Sequence, residues 1–193
     1  MTRKVAIILA FSAFLFPGKD IQGADDRAGR DKTVFVSILP LKYFAGRIAG
    51  DKFTVEVLVG PGKSPAVYEP TPRQMTQLAQ SGIFFRIGVP YENALMEKIR
   101  ATMPGLRIVD TREGISLRHI KDSRDSEHGD LDPHIWLDPS LAKIISENIY
   151  RALVGIDSGN SAYFKANLDS LVDDLEILDK RLEEILKPLQ LHW

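Results

Sequence analysis

The chain has 193 residues, 44% hydrophobic and 26% charged, with a formal net charge of −1 and no cysteine. That length and apolar content suffice for one domain with a real core. The near-neutral charge excludes a nucleic-acid binder with a broad basic face, and the absence of cysteine excludes a disulfide framework or a lipid-bearing cysteine.

Residues 1–23 read as a secretory signal peptide. Arg3 and Lys4 precede an apolar run over residues 5–16, which breaks at Pro17-Gly18, and Gly23-Ala24 offers small residues for cleavage. Such a run is too short to span a bilayer as a helix, and no other membrane segment is expected in the mature chain. Export without a lipid anchor points to a periplasmic protein. A polar leader follows over residues 24–32.

Residues 33–157 read as an α/β lobe. "TVFVSIL" is a buried strand, and "PLKYFAGRIAG" a helix closed by Gly50. "FTVEVLV" alternates apolar and polar residues as a second strand does. After the loop "GPGKSPAVYEPTP", Thr71, Pro72 and Gln74 spell a capping box with proline at the first helical position. "IFFRIG" is a third strand, "YENALMEKIRATM" a helix and "LRIVD" a fourth strand.

Residues 118–130, "RHIKDSRDSEHGD", are dominated by charge and hold one isoleucine; they are expected to form a mobile loop. "HIWL" is expected to be a short strand, with Asp138 capping a helix that Pro139 starts. Residues 158–189 are expected to form a long linking helix, since Leu168, Leu171, Leu175, Leu178, Leu182, Ile185 and Leu189 repeat at three-four spacing. Residues 190–193 form a tail, and His192 within it fits no motif. Strand-helix alternation predicts a mostly parallel four-stranded sheet flanked by helices. Ligands of such sheets lie beyond the carboxyl ends of the strands, where the loops at residues 60–70 and 111–134 emerge.

"FVSILPLKYFAGRIAGD", "SPAVYEPTPRQMTQLAQSGIFFRIGVPYE" and "DPHIWLDP" together resemble the ZnuA/TroA-like receptors of bacterial zinc and manganese ABC importers. The resemblance implies two α/β lobes joined by a rigid helix and a metal ion held between them. It also implies delivery of that ion to a membrane permease, and no catalysis. It places His134 on the family's second histidine, and it puts Ala66 where the first histidine ligand belongs. The second lobe, with its own histidine and carboxylate, has no counterpart before Trp193, so a truncated form with an incomplete site is expected. Zinc is the expected ion and manganese the alternative.

His134 alone falls short of the three or four protein ligands that zinc sites use. His128 and His119 are possible auxiliary ligands, with Asp125, Glu127, Asp130 and Asp132 as oxygen donors. Glu69 is another candidate, although hydrogen bonding to the start of the following helix is the simpler role for it. Two other readings stay open: a module of the same fold for another small solute or a metal complex, and a fragment without transport function. A metallohydrolase is disfavoured, since the chain has no H-E-x-x-H, nucleophile elbow or Gly-rich phosphate loop.

Overall fold

The computed structural model describes residues 32–119 and 131–188. The expected signal peptide, nearly all of the leader, the centre of the charged segment with His128, Asp125, Glu127 and Asp130, and the tail with His192 lie outside them.

The elements run β1 (Thr33–Ile38), α1 (Leu39–Ala49), β2 (Thr54–Val59), α2 (Pro72–Ala79), β3 (Ile83–Arg86), α3 (Glu92–Thr102), β4 (Arg107–Asp110), α4 (Pro139–Ile156) and α5 (Ser161–Leu186). The four strands form one sheet in the order β2-β1-β3-β4, and all three pairings are parallel. Parallel neighbours need crossover connections, here the helices α1, α2 and α3. Right-handed crossovers place α1 on one face and α2 with α3 on the other. On the α1 face, α1, α4 and α5 pack against one another.

The two central strands carry the core. In β1, Val34, Phe35, Val36 and Ile38 are buried, and in β3 Ile83, Phe84 and Phe85 are fully so. Continuous apolar runs of this kind mark strands covered on both faces. The edge strand β2 instead alternates, with Thr54 and Glu56 exposed.

Local signals behave as physical chemistry dictates. Thr71 Oγ1 accepts from the Gln74 N–H, and the Gln74 side chain accepts in return from the Thr71 N–H, so the capping box at α2 is complete. Gly50 ends α1 at φ 56°, where a Cβ would also collide with the Tyr163 ring.

Two expectations fail for identifiable reasons. β3 ends at Arg86, not Gly88, because the N–H groups of Ile87 and Gly88 donate to the Glu92 carboxylate at 3.0 and 2.7 Å. Glu92 is fully buried and also takes Arg86 Nε at 3.1 Å. "HIWL" is not a strand. Residues Ile135–Leu137 form a 3₁₀ turn, because Asp132 Oδ1 accepts from the His134 N–H at 3.0 Å and curls the chain.

The apolar stripe of α5 divides in two. Leu168, Leu171 and Leu175 are buried, as is Phe164 ahead of them, whereas Leu182 is half-buried and Leu178 and Ile185 are exposed. At roughly 1.5 Å per residue the helix is about 39 Å long, which outruns the lobe beneath it. Asn167 Nδ2 donates to the Ile48 carbonyl at 3.0 Å, and Arg47 pairs with Asp174 at 2.8 Å, so the first half is clamped to α1.

One buried amide joins β4 to α4. Asn148 Nδ2 donates to the carbonyls of Thr111 and Glu113, both at 2.9 Å, while the Thr111 hydroxyl donates to the Arg86 carbonyl at 2.8 Å. Truncating Asn148 leaves two carbonyls short of a donor. Asn148→Ala is therefore expected to lower the unfolding free energy by about 2 kcal/mol in urea denaturation. A loss near zero would mean that water replaces the amide there.

Candidate metal centre

His134 lies between two aspartates that hold the chain on either side of it. Upstream, Asp132 Oδ1 accepts from the His134 backbone N–H and meets its ring Nδ1 at 2.7 Å. These two contacts, backbone first, hold the Asp132 carboxyl below the usual carboxylate range. An ionised carboxylate only accepts, so Nδ1 is the donor in this contact, and in a neutral ring Nε2 then carries the lone pair. Among the described residues Nε2 has no hydrogen-bond partner. The ring is more than half exposed and rests 5.2 Å from the Trp136 ring, inclined by 55°.

Downstream, Asp138 caps α4. Its Oδ1 accepts from the Ser140 hydroxyl at 2.6 Å and from the N–H groups of Ser140 and Leu141 at 2.9 and 3.4 Å. The Ser140 hydroxyl is the main reason that the Asp138 carboxyl titrates below its ordinary range. Pro139 occupies the first turn of α4, where its missing N–H costs nothing. The imidazole is thus held at the carboxyl-end side of the sheet by bonds that precede any ligand.

The charged segment enters and leaves through a short stem. His119 and Leu131 form an antiparallel bridge, and the Asp132 N–H donates to the Arg118 carbonyl at 2.8 Å. Arg118 and His119, assigned to the loop by the sequence, therefore belong to its base. A pocket of about 120 Å³ lies beside this stem, lined by Ser116, Arg118, Asp132, His134 and Asp138 together with Ile135 and Leu141.

The loop that carries Ala66 is well anchored. The Tyr68 hydroxyl donates to Gln74 Oε1 at 2.8 Å, and Gln74 Nε2 donates to the Leu58 carbonyl at 2.9 Å. The Tyr68 ring meets Tyr91 edge-on at 5.5 Å, and the Tyr91 hydroxyl pairs with Ser37 Oγ at 2.8 Å. Burial raises the Tyr91 phenol above its usual range. Ala66 itself is exposed, as is Val67 beside it. Glu69 is exposed too, and the first turn of α2 is capped by Thr71 and Gln74 without it. Among the described residues, no hydrogen bond joins Glu69 to the start of α2, where Thr71 and Gln74 form the cap. Neither Ala66 nor Glu69 lines the His134 pocket.

Among the described residues, no three His, Cys, Asp or Glu side chains come together as a metal cluster. Asp132, read from sequence as an oxygen donor, gives its Oδ1 to His134 instead. Arg118 and Asn148 went unnoticed. Their signals, a basic residue in a charged run and an amide within an amphipathic helix, are indistinguishable from ordinary solvated positions.

The fold and this site define an α/β lobe that presents one oriented imidazole beside the sheet's carboxyl edge. The chain matches the zinc-uptake complex component A, periplasmic, over residues 34–192, and it belongs to that family. A manganese ABC transporter substrate-binding lipoprotein, PsaA of Streptococcus anginosus, is 29% identical over 143 residues, covering 71% of this chain and 46% of that protein. The iron-binding protein YfeA of Yersinia pestis is 27% identical over 188 residues, covering 96% of this chain and 60% of that protein. A crystal structure of a ZnuA deletion mutant with zinc bound superposes with a TM-score of 0.75 at 33% identity, covering 82% of this chain and 59% of that one. The chain thus spans about half to three-fifths of the length of these relatives. Among the described residues, no helix is long and apolar enough to cross a membrane.

The Asp138 cap yields a prediction with a definite sign. A depressed folded pKa contributes stability above the unfolded value of about 3.9, and that contribution is lost as pH falls through the folded value. Asp138→Ala is expected to cost about 1 kcal/mol at neutral pH. The gap to wild type should narrow in urea titrations as the medium is acidified below about pH 4. A gap that widens in acid would contradict the assignment.

Proposed function

We propose that the chain captures a transition-metal ion in the periplasm for a metal ABC importer and passes it to the membrane permease. Zinc is the first choice of ion and manganese the alternative, because an imidazole donor suits zinc better than an oxygen-favouring ion. The observation that carries this reading is the Asp132–His134 pair. A carboxylate on Nδ1 is the usual outer partner of a metal-binding histidine, since it fixes the tautomer and leaves Nε2 for the ion. Family membership supports the same reading, as do the metal-binding names of its relatives.

His134 is the primary ligand in this account and Asp132 its orienting partner. Ala66 leaves the loop at residues 60–70 without its histidine donor, and His119, His128 and Glu69 remain auxiliary positions. Calorimetric titration of the full chain with zinc tests the assignment. His134→Ala is expected to abolish saturable binding. Asp132→Asn should weaken it by about 10- to 100-fold, the usual cost of losing an outer-shell partner. Alanine at His119, His128 or Glu69 should have smaller effects than His134→Ala. A His134→Ala titration that overlays the wild type would remove the site.

A further inference from the structure

We draw no further inference here: the strongest candidate, the apolar face that the second half of α5 exposes at Leu178 and Ile185, carries nothing, because nothing in the structure shows what covers it.

Discussion

Four strands that all run the same way impose the geometry on which everything else depends. A parallel pair cannot be closed by a tight turn, so each strand must hand the chain to a crossover before the next begins. All four strands therefore end on one side, and the loops that follow β2 and β4 are delivered to that side together. Burial of β1 and β3 on both faces anchors the centre of the sheet, where Val36, Phe84 and Phe85 are fully covered. The site occupies the rim of this rigid plate.

Rigidity at the rim comes from a chain of polar contacts instead of apolar packing. Glu92 ends β3 by taking two backbone N–H groups and Arg86. Arg86 presents its carbonyl to Thr111, and Thr111 with Glu113 is held by Asn148 of α4. Asp110 binds Arg112 through two parallel contacts at 2.8 and 2.6 Å, and a Cβ at Gly88, at φ 84°, would collide with that guanidinium. Burial pushes the Asp110 carboxyl up, but the Arg112 hydrogen bonds outweigh it and hold the group below its usual range. The segment that leaves β4 and the helix that receives it are thus tied to one frame. His134 then needs only Asp132 and the α4 cap to fix its orientation.

Much of this was legible in the sequence where the signal is local. The capping box at Thr71 and Gln74, Pro139 behind Asp138, Gly50 at a helix end and the β-branched run of β1 each act within a few residues. The departures arise where a side chain reaches past its own element. Glu92 withdraws Ile87 and Gly88 from the ladder, and Asp132 curls "HIWL" into a turn; neither effect has a period to detect. The α5 repeat disclosed a helix with one apolar face, but not that burial stops after Leu175, because that depends on where the lobe beneath it ends. Arg118 was not legible as a pocket residue, since the stem formed by His119 and Leu131 is a tertiary feature.

The central claim is that Asp132 holds the His134 ring with Nδ1 protonated, so that Nε2 faces the cargo. Long-range proton–nitrogen correlation spectra of the nitrogen-15-labelled full chain read both ring nitrogens directly. The account predicts the Nδ1–H tautomer for neutral His134 before zinc is added, and a zinc-induced shift at Nε2 with Nδ1 still protonated. A neutral ring protonated at Nε2, or a zinc shift at Nδ1, would contradict it.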